Sequence, residues 1–141
     1  MADRISKEKR SWVMSRVKGR DTGPELAVRR AAHALGLRFR LYRRDLPGRP
    51  DLVFPKHRVA LFVHGCFWHQ HPGCRRARVP GTRPEYWIEK LRRNVERDAA
   101  AGPVLEAMGW RPVVIWECEL KDPANLTAIL RARVYDPERT L

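Results

Sequence analysis

Few features of this sequence could anchor or staple it. Nowhere is there an apolar run long enough to span a bilayer, and the opening residues, Met1-Ala2-Asp3-Arg4-Ile5-Ser6-Lys7, lack the apolar core of a secretory signal, so a cytoplasmic location is expected. Cysteine is scarce. Three residues cannot all pair within one chain, and in a reducing compartment metal ligation is a better default than disulfides. Acids are few as well: 16 Asp and Glu face 29 Lys and Arg, a formal net charge of +13. Most of that excess is arginine, whose planar fork suits phosphate oxygens. Nucleic acid is therefore the leading partner class, ahead of a merely solvated basic surface or an anionic membrane. There are no internal repeats or low-complexity segments, and 141 residues suffice for one domain with a real core.

What the chain does have is concentrated in Val63-His64-Gly65-Cys66-Phe67-Trp68-His69-Gln70-His71-Pro72-Gly73-Cys74. Twelve residues hold three of the five histidines, two of the three cysteines and an adjacent Phe-Trp pair, directly after an apolar run that reads as a strand. Thiolate and imidazole donors at this density suit zinc, and the aromatic pair beside them suggests a surface that meets something flat.

Three segments follow from composition: a basic N-terminal arm over 1–20, a folded domain over 21–135, and a polar tail over 136–141. The arm, with Trp12, Val13, Met14 and Val17 among its cations, reads equally as a short amphipathic helix or as a tail with only non-specific phosphate attraction. Thr22-Gly23-Pro24-Glu25 forms a capping box that should start a helix running to about Leu35, with Gly36 as the stop. Leu37-Arg38-Phe39-Arg40-Leu41 alternates strictly and predicts a strand. Asp51 to Phe54 and Val59 to His64 predict an antiparallel hairpin, the second strand central and covered on both faces. Such a hairpin would set Asp51 beside His64 on one rim.

After a basic loop, Thr82-Arg83-Pro84-Glu85 repeats the capping-box pattern before a helix that Gly102-Pro103 should kink or split. Arg111 to Trp116 predicts a strand whose proline suits its first residues or a sheet edge, and Asp122-Pro123 should cap a last helix ending near Val134. The expected fold class is α/β, a central mixed sheet flanked by helices with a structural zinc site.

Cys66, His71 and Cys74 have C-x4-H-x2-C spacing, and Cys118, just past the strand ending at Trp116, could close a Cys3His site. The plainer reading of Cys118 is a buried small apolar residue. With His71 as ligand, His69 would be held near the Asp51 and His64 rim as a candidate general acid or base. Spacing equally permits His69 as the ligand and His71 free. Asp51 is a natural ligand for Mg2+, with Glu25 and Asp98 available as further acids; each alone is more often a cap or surface residue. Phe67 and Trp68 would either plug the loop against the domain or wedge between base pairs, and Trp87 would join them or the core.

With these residues in view, the chain resembles the very short patch repair (Vsr) endonucleases. The resemblance rests on Pro47-Gly48-Arg49-Pro50-Asp51, Val63-His64-Gly65-Cys66-Phe67-Trp68-His69, Glu85-Tyr86-Trp87, Asn94-Val95-Glu96-Arg97-Asp98, Gly109-Trp110-Arg111 and Val114-Ile115-Trp116-Glu117-Cys118. It implies a restriction-endonuclease-like fold and a Mg2+-dependent monomeric enzyme that nicks one strand 5′ to the thymine of a T:G mismatch in double-stranded DNA, a product of 5-methylcytosine deamination. Mismatch-repair proteins would be further partners, and the nucleoid of a prokaryote its place of work. Carried onto matching positions, it makes Asp51 the principal Mg2+ ligand with the Val63 carbonyl, and His69 the base or proton-transfer group. His64, Glu25 and Asp98 complete that site, and Cys66, His71, Cys74 and Cys118 become structural zinc ligands. Phe67, Trp68, Trp87 and Met14 become DNA contacts. The chain departs from the familiar pattern at Val63, where a Thr is usual, at Pro72-Gly73 and at Gly102-Pro103. Two other readings compete: a restriction-type enzyme that cuts paired DNA, and a zinc-stabilised DNA-binding module without catalysis.

Overall fold

The computed structural model describes residues 22–135, so the basic arm with Met14 and the tail lie outside the described residues. Helix α1 spans Gly23–Ala34. Its capping box forms as the sequence requires: the Glu25 N–H donates to Thr22 Oγ1 at 3.4 Å, and the Thr22 N–H donates to Glu25 Oε2 at 2.9 Å. Gly36 then takes φ +76°, the left-handed stop expected of it.

Strands β1 (Leu52–Phe54) and β2 (Val59–His64) form the antiparallel hairpin, with Leu52 opposite Leu61. Strand β3 (Arg111–Trp116) lies parallel to β2, Val59 opposite Arg111 and His64 opposite Trp116. The order β1-β2-β3 makes the sheet mixed and puts β2 in the centre, as its unbroken apolar run predicts. Pro112 sits near the start of an edge strand, where its missing N–H costs least.

Period-two alternation sorts the side chains between two cores. Leu52, Phe54, Leu61 and Ile115 pack with Val28, Ala32, Leu126 and Leu130, which joins α1 and the last helix, α3 (Pro123–Arg133), to one face. Val53, Ala60 and Phe62 pack on the other face with Leu46, Leu105 and Trp110, beneath the long helix α2 (Pro84–Ala107). The sheet is thus a filling between helices, and β2 and β3 end together at His64 and Trp116.

Three local expectations fail, each for a visible reason. Leu37 to Leu41 is not a strand: it makes one isolated bridge, Arg40 with Val53, because β1 has only three residues to offer and Tyr42, at φ +59°, turns the chain away. The second capping box does not form. The cap of α2 is Arg83, left-handed at φ +53° and without a side-chain bond, so Glu85 falls one position too early to reach back as Glu25 does. Nor does Gly102-Pro103 split α2, which continues to Ala107 with Pro103 inside it. Pro103 is exposed, while Ala101 and Leu105 on either side of it are buried and hold that turn against the sheet. The final helix is capped as expected, the Ala124 N–H donating to Asp122 Oδ1 at 3.0 Å.

Candidate active site and metal centre

The ends of β1 and β2 supply the first group. The Asp51 N–H donates to Leu61 O, extending the ladder one residue beyond β1, and the Asp51 carboxylate accepts the Val63 N–H at 2.6 Å. Its second neighbour is Glu25, buried at the start of α1, with which it shares a hydrogen bond. Burial first, then Glu25, push the Asp51 carboxyl up to about 8; the Val63 N–H and Arg29 pull the other way. Two neighbouring acids, Asp51 held by the Val63 N–H and Glu25 by the Thr22 N–H, suit a hard cation, since neutralising them removes both the desolvation cost and their repulsion. The capping box thus serves twice, because it aims Glu25 at Asp51.

His64 is not joined to Asp51 by any hydrogen bond or ion pair among the described residues. Its ring stacks on His69, centroids 3.8 Å apart and 6° from parallel, and meets Trp116 edge-on at 5.1 Å. Burial, then the neighbouring His69, lower its pKa to about 4, so His64 is neutral at physiological pH. His69 Nδ1 lies 2.6 Å from Asp98 Oδ2 on α2. A carboxylate can only accept, so Nδ1 carries the proton, and in the neutral imidazole Nε2 then has the lone pair that a general base requires. The direct contacts along this rim form two pairs, Asp51 with Glu25 and His69 with Asp98, with His64 packed on the second.

The third group is sulfur and nitrogen. Ligand atoms of Cys66, His71, Cys74 and Cys118 all lie within 4.8 Å of one another. His71 Nδ1 is 3.7 Å from Cys66 Sγ and 3.5 Å from Cys118 Sγ. Tetrahedral zinc with ordinary bond lengths would set sulfur and nitrogen about 3.6 Å apart, so the donors stand where such an ion needs them. The geometry also decides between the two histidines: His71 faces the thiols, while His69 is engaged with Asp98. Burial raises the Cys66 thiol to about 11, and the backbone N–H of Arg76 lowers that of Cys74.

Several supporting residues escaped the sequence reading. Gln70, at φ +49°, donates to the carbonyls of Phe67 at 2.7 Å and Ala77 at 3.0 Å, which ties the loop across its own base. Asn94 Nδ2 donates to Trp68 O at 3.1 Å and fastens the loop to α2. Trp116 stacks on His71 at 4.1 Å as well as meeting His64, so one indole supports both histidine sites. Glu119 accepts the Trp116 N–H and pairs with Arg133 at 2.7 Å, which fixes the short 3-10 turn, Glu117–Leu120, that carries Cys118. Hydrogen-bonding residues in a loop leave no periodic signal, and only tertiary neighbours give them a role.

Phe67, Trp68 and Trp87 form one half-exposed cluster, with centroids 5.1, 5.5 and 6.0 Å apart. Tyr86 and Lys90 border it, the lysine 5.9 Å from the Trp68 ring. From near this cluster a groove of about 950 Å³ runs along α2 past Asn94, His69, His64 and Asp98 to Gly48 and Arg49. A second hollow of about 830 Å³, at the hairpin-turn end of the sheet, is lined by Arg38, Phe39, Lys56 and His57 but by no acid or thiol.

Comparison with known proteins decides the family. Residues 2–76 match the family described as DNA mismatch endonuclease Vsr. The chain is 50% identical over 137 residues to the type II nicking enzyme V.XorIIP of Xanthomonas oryzae, covering 97% of this chain and 99% of that protein. It belongs to the Vsr family. A second Vsr relative, the DNA mismatch endonuclease Vsr of Escherichia coli, is 43% identical over 127 residues, 90% of this chain and 81% of that protein. The type II nicking enzyme V.NmeAIP of Neisseria meningitidis is 38% identical over 124 residues, 88% of each chain. This Vsr-family chain is a DNA endonuclease. Among the described residues no helix is long and apolar enough to cross a membrane.

Proposed function

We propose that this endonuclease nicks one strand of duplex DNA 5′ to the thymine of a T:G mismatch, on a restriction-endonuclease-like scaffold, with Mg2+ at Asp51 and structural zinc at Cys66, His71, Cys74 and Cys118. The observation that carries the reading is the double use of one loop. Between Cys66 and Cys74 it carries Phe67 and Trp68 in the half-exposed aromatic cluster and, one residue on, His69 bonded to Asp98 beside the groove, which would set the aromatics at the base stack and the imidazole at the backbone. Recognition and cleavage are then coupled by a span of three residues.

The chemistry follows from the geometry. A Mg2+ ion would be held by Asp51 and the Val63 carbonyl, with Glu25 beside them, and would supply positive charge to the scissile phosphate. Asp98 keeps the His69 Nδ1 proton in place, and His69 Nε2 takes the proton from the attacking water. Neutral His64 packs flat against the His69 ring and fixes its plane without adding a like charge. The zinc ligands hold the loop rigid, which an aromatic wedge needs if it is to unstack bases rather than fold back. Unstacking costs least at a mispair, so the wedge itself favours mismatched DNA.

The deciding experiment incubates the protein with a T:G duplex and its matched T:A counterpart, with Mg2+ or with EDTA, alongside Asp51→Ala and His69→Ala. Nicking of only the thymine strand of the T:G duplex, dependent on Mg2+ and lost in both variants, is the expected outcome. Double-strand cleavage of the matched duplex, or binding without cleavage, would overturn it.

A further inference from the structure

At the far end of the groove from the aromatic cluster stands a residue that the proposed chemistry does not use. Arg49 is exposed and lines the groove together with His69 and Arg97. Arg97 is occupied by Asn94. Arg49 makes no hydrogen bond, ion pair or ring contact among the described residues, in a fold whose other groove cation is tied down. Its backbone is left-handed at φ +52°, a conformation that a side chain other than glycine adopts only at a cost.

The neighbouring glycine explains what enforces that backbone. Gly48 is left-handed too, at φ +80°, and a Cβ there would stand 2.8 Å from the Ala101 Cβ and 3.0 Å from the Phe62 ring. The turn is therefore pressed onto α2 and β2, and Pro50 is buried immediately after it. Two residues beyond Arg49 comes Asp51, anchored by the Val63 N–H. The cation is thus carried on a rigid turn joined directly to the metal-binding acid. A left-handed arginine held at a groove wall and left unpaired has the form of strain retained for a ligand.

We propose that Arg49 is a positioning residue for DNA: its guanidinium clamps a backbone phosphate adjacent to the scissile one, setting the strand's register over Asp51 and His69. The bidentate fork of arginine matches two phosphate oxygens, and backbone contacts of this kind fix register without reading sequence. This rests on the groove being the path of the DNA in the endonuclease reading, but it does not depend on T:G specificity.

Glycine is the informative substitution, because it relieves the left-handed backbone while removing the cation. Thermal unfolding, duplex affinity across a series of salt concentrations and single-turnover nicking would be measured for wild type, Arg49→Gly and Arg49→Lys. Arg49→Gly is expected to keep or raise Tm, to weaken binding to T:G and matched duplexes alike by roughly tenfold, and to lower the slope of log affinity against log salt by about one ion. Arg49→Lys should restore the salt slope yet nick more slowly, since a point charge replaces the fork. Because the salt slope reads phosphate contact on any duplex, it remains decisive even if the mismatch reading fails. Unchanged affinity and slope in Arg49→Gly, or a fall in Tm that accounts for the weaker binding, would overturn the assignment.

Discussion

Replacing Asp51 by asparagine should make the protein more stable and inactive at once. The Asp51 carboxyl is pushed up from 3.8 to about 8, chiefly by burial and then by Glu25. A raised carboxyl contributes stability that is fully present below pH 3.8 and is lost as pH rises through about 8. At about 1.4 kcal/mol per unit, a rise of roughly four units sets a ceiling of about 6 kcal/mol above pH 8. Glu25 stays buried in Asp51→Asn, so only part of that ceiling is recovered. Asparagine keeps an oxygen for the Val63 N–H and can donate its amide to Glu25, and a net gain of about 2 kcal/mol at pH 8 is expected, or roughly 6 °C in Tm. The assay is thermal unfolding of zinc-replete protein without Mg2+ at pH 4, 6 and 8. The variant's advantage over wild type should widen from pH 4 to pH 8, and the two should converge at pH 4, where Asp51 is itself neutral. Other titrating groups, such as the Cys66 thiol, are common to both proteins and cancel in the difference. Parallel pH profiles, or a variant no more stable than wild type at pH 8, would refute the argument that Asp51 is a strained, metal-awaiting acid.

Three further outcomes follow from the same contacts. Asp98→Asn keeps the shape beside His69 but can present an amide N–H to Nδ1, favouring the wrong tautomer; nicking should fall by about a hundredfold or more, while DNA affinity by gel shift stays within a few fold. Cys118→Ser should lower zinc bound per chain by metal analysis and lower Tm, because the proposed four-donor set would lose the thiol carried by the 3-10 turn; unchanged stoichiometry would remove Cys118 from the set. Gln70→Ala removes two bonds to loop carbonyls and should cost about 1–2 kcal/mol in urea unfolding, with a larger loss in T:G nicking than in matched-duplex binding.

Much of the fold was readable because it rests on local grammar. The Thr22 box, the Gly36 stop, the hairpin and the Asp122 cap are each set by a few neighbouring residues whose backbone groups need partners. The misreadings share one cause, which is that a local pattern becomes an element only if a partner is in register. Leu37 to Leu41 alternates well but meets a strand of three residues. Thr82 and Glu85 carry the right spacing, yet the cap slips to Arg83. Gly102-Pro103 should kink or split a helix, and buried residues on either side keep it from splitting.

The site divides in the same way. By itself, the sequence determined the inventory: the donor types, the clustering of three histidines and two cysteines in one loop, the basic charge, and the aromatic pair. Such facts are covalent and need no neighbours. Only the tertiary structure decided the pairing. It gave His71 rather than His69 to the thiols, set Glu25 rather than His64 against Asp51, and put Trp116 between the two imidazole sites. The physical reason is distance. A hydrogen bond or a metal ligand set is satisfied within a few ångströms, and residues as far apart as 25 and 51, 69 and 98, or 71 and 118 come that close only when helix and sheet have packed.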